Sequence, residues 1–527
     1  MTNSISEFET ADTVFIIGSN TTEAHPIIGL KLRRAALFHG AKIIVADPRR
    51  IDITQVAKLH LRQRSGTDVA LINAMMNVIL AEGLEDKNFI AERTEGLEDA
   101  LPAIKEMTPE RAEKITGVPA ENIRQAGRMF AQADRASIVY AMGITQHSHG
   151  TDNVKALCNL AMLTGNLGKE GAGVNPLRGQ NNVQGACDMG GLPNVLPGYK
   201  PVTDEAARKV FEEAWGVKLP EKPGLTMIEM LNAAEKGEIK ALFIMGENPA
   251  LSDPNLNHTR HALDQCEFLV VQDIFLTETA QFADVVLPGA SFAEKDGTFT
   301  NTERRVGRVR QALTLPGQAR QDWQIIQDLS NRMGYAMKYD SPRQILEEIN
   351  QLVPQYAGIT WYRIEKKGIQ WPCPDTSHPG TKFLHQDKFT RGKGKFHPTP
   401  FLESAELPDK KYPLLLTTGR QLYHFHTSTM TGRVEGLEEL CPGGSVEINP
   451  EDAAGLEIMD GEKVEVASRR GKVEAIALVT EKVPKGTIFM PFHFAAAPAN
   501  MLTNDALDPT AKIPELKVCA AAVRKVA

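Results

Sequence analysis

Val14-Phe15-Ile16-Ile17 runs into Gly18-Ser19-Asn20, a helical stretch spans about Pro26 to Phe38, and Ala41-Lys42-Ile43-Ile44-Val45-Ala46 runs into Asp47-Pro48-Arg49. A short unbroken apolar run suits a strand covered on both faces, and buried strand, polar loop, helix, buried strand is the βαβ unit of a parallel sheet. Ligand-facing groups are then expected in the loops beyond the strand ends. Ile138-Val139-Tyr140 with the loop Gly143-Ile144-Thr145-Gln146 repeats the pattern. Between them, Asp68 and Thr108 fit as caps of two further helices, because their short polar side chains satisfy orphan amide donors. His25, Glu23 and Asn20 flank the helix start at Pro26, where phosphate or ribose groups are favoured.

The pattern returns farther along. Ala241-Leu242-Phe243-Ile244-Met245 leads into Gly246-Glu247-Asn248-Pro249, and Phe268-Leu269-Val270-Val271-Gln272 leads into Asp273. Both blocks place a glycine-x-asparagine loop after one strand and an acid after a later one, which suggests two related nucleotide-sized pockets. Ala283-Asp284-Val285-Val286-Leu287-Pro288 adds a short strand to the second block. Beyond about residue 395 the texture changes. Tyr412 to Thr418, Val446 to Ile448, the alternating stretches either side of Arg469-Arg470-Gly471, and Ile488 to Met490 read as short strands with tight turns. A barrel fits such a set, since closure removes edges. The expected fold is α/β, with two related dinucleotide-binding domains, the second incomplete, and a C-terminal β-barrel. Its boundaries fall at 1–180, 181–292, a mixed bridge over 293–395 that in part could complete the second α/β and cluster domains, and 396–527.

The 527-residue chain has Lys+Arg 59 against Asp+Glu 66, a net charge of −7. That balance argues against a nucleic-acid coat or a polybasic membrane foot. Six cysteines, at 158, 187, 266, 373, 441 and 519, include no Cys-x2-Cys pair, so neither a zinc knuckle nor a cubane iron–sulfur cluster can be read from thiol spacing. Sparse thiols in a large chain fit a reducing compartment. No run approaches the ~18 apolar residues of a spanning helix, and Met1 to Asp12 lacks the features of a secretory signal. The expectation is a cytoplasmic protein that binds no nucleic acid and does not insert in a membrane.

Two polar segments carry chemistry. Asn175-Pro176-Leu177-Arg178-Gly179-Gln180-Asn181-Asn182-Val183-Gln184-Gly185 sets amides and one rigid cationic fork among glycines. This composition favours an anion- and heterocycle-contacting site over a merely solvated loop. Thr418-Gly419-Arg420-Gln421-Leu422-Tyr423-His424-Phe425-His426-Thr427-Ser428 combines imidazoles, a guanidinium and hydroxyls. With no carboxylate evident beside either histidine, hydrogen bonding to a ligand is favoured over a metal site, and a plain polar hairpin is the alternative. His147 and His149 read as solvated loop residues. The dinucleotide fingerprint Gly-x-Gly-x-x-Gly after a strand, the P-loop and the serine elbow are all absent.

Ala161-Met162-Leu163-Thr164-Gly165-Asn166-Leu167-Gly168, the Arg178-Gly179-Gln180-Asn181-Asn182 segment, Ala283 to Pro288 and the His424/His426 segment together strongly resemble the molybdopterin-dependent oxidoreductases. The resemblance runs along the whole chain and is nearest to formate dehydrogenase catalytic (alpha) subunits. It implies a bis-molybdopterin guanine dinucleotide carrying molybdenum or tungsten, with Arg178 orienting formate beside the metal and Gln180 among the pterin contacts. Gly18, Asn20, Glu23, His25, Asp47, Arg49 and Asp68 match the loops that hold one dinucleotide, and Gly246, Glu247, Asn248, Gln272, Asp273 and Thr277 match the other. Arg420, His424, Ser428, Asn500 and Lys517 match further cofactor contacts.

Family members begin with a Cys-x2-Cys-x3-Cys cluster motif, a lysine, and a Cys or selenocysteine metal ligand followed by histidine; none of these is present in this sequence. The resemblance thus implies the C-terminal portion of a formate-oxidising enzyme, inactive alone, and no metal ligand of its own. Its 4Fe-4S cluster would belong only to the complete protein, in which electrons leave through an iron–sulfur subunit or domain. A selenocysteine codon read as stop would account for the start. A non-catalytic guanine-dinucleotide-binding module, or another molybdopterin enzyme such as a nitrate reductase, is the alternative.

Overall fold

In the computed structural model, which describes residues 1–526, the chain divides into two units. The first comprises residues 1–179, 251–258 and 383–526; the second comprises 180–250 and 259–382.

The first unit contains a five-stranded sheet of β1 (Thr13–Ile17), β2 (Lys42–Ala46), β3 (Leu59–Leu61), β4 (Ala136–Tyr140) and β5 (Gly173–Pro176). The spatial order is β3-β2-β1-β4-β5, and every pairing is parallel. Alternate residues feed two separate cores. Phe15, Ile17, Ile44 and Ile138 join one, and Val14, Ile16, Ile43, Val45 and Val139 join the other. Burial on both faces is why these strands read as unbroken apolar runs, each such side chain contributing roughly 1.5–3 kcal/mol.

Helix α1 (Pro26–Phe38) begins with proline at its first position, where the missing N–H costs nothing. Helix α2 (Asp68–Ala81) is almost wholly buried and belongs to the first of those cores. Thr67, rather than Asp68, occupies its N-cap position, which corrects the capping role expected of Asp68. Thr108 does cap its helix, its hydroxyl accepting from the Arg111 amide.

The second unit holds a parallel sheet in which β7 (Phe268–Asp273) lies between β6 (Ala241–Met245) and β8 (Val285–Pro288). Leu269, Val271 and Ala280 pack in its core, while Phe243, Met245, Phe268 and Val285 remain exposed. A separate antiparallel sheet of β9 (Gly297–Thr300), β10 (Arg305–Val309) and the short strand Ile369–Gln370 sits with a core around Val306, Leu346 and Tyr356. The polar segment after Arg178 is not all loop. Val183–Asp188 forms a short helix whose Asp188 carboxylate receives Gln184, Tyr356 and Trp371 side chains.

The barrel belongs to the first unit. Its strands β11 (Leu414–Gly419), β12 (Ser445–Ile448), β13 (Lys463–Ala467), β14 (Lys472–Val479), β15 (Thr487–Pro491) and β16 (Cys519–Lys525) close in the order β11-β15-β12-β14-β13-β16. β14 alternates exposed and buried residues over most of its length, as expected of a strand with one wet face. β12 is buried throughout and does not alternate. Among the described residues no helix is long and apolar enough to cross a membrane.

Candidate functional site

The parallel sheet of the first unit reverses strand order between β1 and β4, and the loops at the C-terminal ends of its strands open there. Such a switch point is where α/β sheets bind nucleotides. Gly18, just past β1, has φ +56°, and a Cβ on it would lie 2.6 Å from the Ile144 backbone nitrogen, so the two loops approach only because this residue is glycine. The Gly143 amide donates to the Gly18 carbonyl across the gap.

A cavity open to solvent extends from these loops to the barrel. Gly18, Asn20, His25, Asp47, Arg49 and Asp68 line it from the sheet side. Arg420, Asn500 and Lys517 line it from the barrel side. Nine residues separated by up to 499 positions in sequence thus share one wall. Glu23 is half-buried near Arg49, and desolvation raises its carboxyl above the usual range. Half-buried Arg178 follows β5 between the cavity-lining Leu177 and Gly179. Its carbonyl oxygen lies 2.7 Å from His25 Nε2.

The cavity holds cations without counter-ions. Lys517 is buried and donates to the Thr418 carbonyl at 2.7 Å. Burial pushes its ammonium down to about 7. Burial likewise lowers Arg420, whose guanidinium lies 5.3 Å from the Phe492 ring. Among the described residues neither has a carboxylate within ion-pair distance, a costly state that an anionic ligand would relieve. Carboxylates gather on the sheet side instead. Burial pushes Asp47 up to about 6 and raises Asp68, with nearby His147 opposing the shift at Asp68. Asp68 accepts from Gln63 at 3.1 Å. Buried Ser19 Oγ, His25 Nδ1, Gln63 Oε1 and Asn500 Oδ1 have no hydrogen-bond partner among the described residues. A ligand with a diphosphate and several N–H and O–H donors would satisfy both sets.

Arg49 reaches the cavity wall, but its guanidinium is committed elsewhere. It donates two hydrogen bonds, of 3.1 and 2.8 Å, to Glu447 on β12 and stacks 3.5 Å over Phe489. His424 is buried, with Nε2 2.8 Å from the Cys441 carbonyl and 3.9 Å from Glu438. That glutamate is the carboxylate neighbour the sequence reading did not find. Ser428 lies close by in a left-handed conformation. Among the described residues no group of three metal-ligating side chains exists.

Gln180 opens the second unit, and the other set lies wholly within it. Gly246 stands directly beyond β6, as Gly18 does beyond β1, whereas Asp273 is the last residue of β7 and Asp47 lies one place past β2. Here the side chains tie the loops to one another. Asn248 donates to Glu278 and accepts from Thr279, Asp273 accepts from the Ile274 amide, and Thr277 from the Ala280 amide. Gln272 donates to Asp322 at 2.7 Å, and its buried Oε1 has no partner among the described residues. Glu247 follows Gly246 at the same sheet end.

Several wall residues escaped the sequence reading. His147, expected to be solvated, is buried between Asp68 and Glu515, 3.9 Å from each, with Nε2 2.8 Å from the Gly143 carbonyl. Gln63 and Phe489 also line the cavity. Only the position of Gln63, two residues beyond β3, carried a signal.

A parallel sheet with a switch-point cavity, closed by a barrel that supplies cations without counter-ions, is an architecture suited to an anionic dinucleotide cofactor. The chain belongs to the molybdopterin oxidoreductases: residues 1–332 match the family model described as Molybdopterin oxidoreductase, and residues 414–520 that of the Molydopterin dinucleotide binding domain. It is 55% identical to the F420-dependent formate dehydrogenase subunit alpha of Methanocaldococcus jannaschii over 530 residues, covering 100% of this chain and 78% of the relative. Formate dehydrogenase H of Escherichia coli is 43% identical over 534 residues, covering 100% and 74%. Acetylene hydratase from Pelobacter acetylenicus superposes with a TM-score of 0.78 at 22% identity, covering 99% of this chain and 81% of that one. That likeness concerns the fold alone, since one fold hosts different reactions. The protein is an oxidoreductase with a molybdopterin dinucleotide cofactor, and the unpaired cations and partnerless polar atoms of the cavity fit such a group.

Proposed function

We propose that this chain carries the formate-binding and cofactor-binding part of a formate dehydrogenase catalytic subunit, which oxidises formate to CO2, a proton and two electrons. The observation that carries the reading is the pair of cavity cations, buried Lys517 and half-buried Arg420, without counter-ions among the described residues, in a chain 55% identical to a formate dehydrogenase alpha subunit. The bis-molybdopterin guanine dinucleotide, with molybdenum or tungsten, supplies the two-electron acceptor.

The chain's own residues bind and orient. Lys517 and Arg420 neutralise the diphosphate of one dinucleotide, and Asp47 and Asp68 accept from its hydroxyl and N–H groups. Gly246, Gln272, Asp273 and Thr277, with Glu247 and Asn248, form the loops for the second. Gln180 contacts the pterin. Arg178 offers two parallel N–H donors to the two oxygens of formate, a substrate with almost no apolar surface by which to be recognised. An iron–sulfur subunit or domain takes the electrons away. A cytoplasmic setting is consistent with six cysteines, none of them in a disulfide among the described residues. The test is formate-dependent reduction of an artificial dye by the metal-loaded enzyme, compared with nitrate-dependent oxidation of the reduced dye. Turnover of formate alone supports the reading, and cofactor binding without any formate turnover favours a non-catalytic module.

A further inference from the structure

Strand β15 ends at Pro491, and the chain that leaves it carries His493 with no exposed surface. Two backbone groups from a distant loop meet its ring. The Gln421 amide donates to His493 Nε2 at 2.8 Å, and the His426 carbonyl oxygen lies 2.5 Å from Nδ1. A carbonyl oxygen only accepts, so Nδ1 carries the proton; an amide N–H only donates, so Nε2 keeps its lone pair. The two bonds together define one neutral tautomer.

The stapled residues bracket Leu422-Tyr423-His424-Phe425, and the loop holds His426 at φ +48°. Arg420 and His426 face the cavity at its two ends. The groups facing the His493 ring are Arg420, His424 and His426, together with the rings of Phe492 and Phe494. All the titratable ones are potential cations. A proton on Nε2 would therefore displace the Gln421 amide and add a charge beside a guanidinium that already lacks a counter-ion. Burial, supported by these neighbours, holds the imidazole down to about 4.

We infer that His493 is a positioning residue, whose Nδ1–H tautomer clamps the Arg420–His426 loop and so fixes where the Arg420 guanidinium meets the anionic part of the cofactor. The inference rests on the cofactor reading of the cavity but not on the identity of the substrate. It places a functional constraint on a barrel residue that touches no cavity surface itself.

The test uses the full chain without cofactor or formate, so that loss of formate turnover has no bearing on it. Amide hydrogen exchange over residues 420–431 is followed in wild type, His493→Gln and His493→Phe, with strands β13 and β14 as internal reference. Binding of guanosine diphosphate is measured alongside by calorimetry. Glutamine can accept from Gln421 and donate to His426; phenylalanine can do neither. Loss of both bonds should raise loop exchange by about tenfold or more in His493→Phe and weaken the nucleotide by a similar factor, while His493→Gln stays within about threefold of wild type. In wild type, loop exchange corrected for its intrinsic rate should rise as pH falls below about 5, and His493→Gln should lack that rise. Unchanged loop exchange in His493→Phe overturns the clamp. So does equal loosening of the loop and the reference strands in both variants, which would make His493 a packing residue. An acid rise of equal size in His493→Gln overturns the assignment of that rise to the His493 ring.

Discussion

His25 Nε2 lies 2.7 Å from the carbonyl oxygen of Arg178, joining the residue that precedes helix α1 to the chain that leaves β5. The ring nitrogen must donate, so Nε2 carries the proton and buried Nδ1, which has no partner among the described residues, is an acceptor. Burial lowers the imidazole's pKa, which keeps this neutral form at physiological pH. The backbone of Arg178 is thus held from the opposite side of the switch point, 153 positions away in sequence.

If that bond steers the Arg178 fork, His25→Ala should act on formate affinity before turnover. The loss of one hydrogen bond, about 1 kcal/mol, corresponds to roughly a fivefold rise in KM for formate with a smaller change in kcat. Steady-state kinetics at equal metal content measures it. A fall in metal content with an unchanged KM would assign His25 to the cofactor instead.

The Arg49–Glu447 pair is a cross-tie between the sheet and the barrel, with both side chains less than a tenth exposed. Removing one partner leaves the other charge buried, which costs about 3–5 kcal/mol. Arg49→Met and Glu447→Met should each destabilise the chain by that order, while the double variant should recover much of the loss. Denaturant midpoints at constant slope test this. Additive losses would show that the two side chains act independently.

Lys517 predicts how anion binding depends on pH. Burial makes its charged form costly, so in the ligand-free chain the ammonium loses its proton near pH 7. The folded value lies below the ordinary one; this site therefore withdraws stability progressively as pH falls from about 10.5 towards 7. A diphosphate favours the protonated form. Affinity for guanosine diphosphate should accordingly be greatest below pH 7 and fall by up to about tenfold per unit above it. Lys517→Met should flatten that slope. Asp47, which protonates near 6, runs the other way for stability: its contribution, present in acid, is lost as pH rises from about 4 through 6.

Local sequence carried the strands well because each met one environment. β1 is buried at every residue, and Gly18 and Asp47 stand at strand ends where a loop needs them. β14 alternates because one face is wet. What sequence could not carry was long-range pairing. Nothing near Arg49 announces Glu447, 398 residues on, and nothing near His147 announces Asp68 and Glu515. The helix at Val183–Asp188 was hidden for a related reason. Its glycine and the amides that lead into it favour a loop, and its hold comes from Tyr356 and Trp371, far along the chain, on Asp188. Arg420 and Lys517 were legible as contacts through family resemblance, whereas their lack of counter-ions is visible only in three dimensions.

The most direct test of the account is formate oxidation by Arg178→Lys in the complete, metal-loaded enzyme. Lysine keeps the charge and loses the planar fork, so one charge-assisted contact to formate is lost, about 1.5–3 kcal/mol. At unchanged metal content, kcat/KM for formate should drop roughly ten- to a hundredfold, with KM raised and kcat lowered. Wild-type kinetics at full metal occupancy would contradict the account and make Arg178 a structural or pterin-contacting residue.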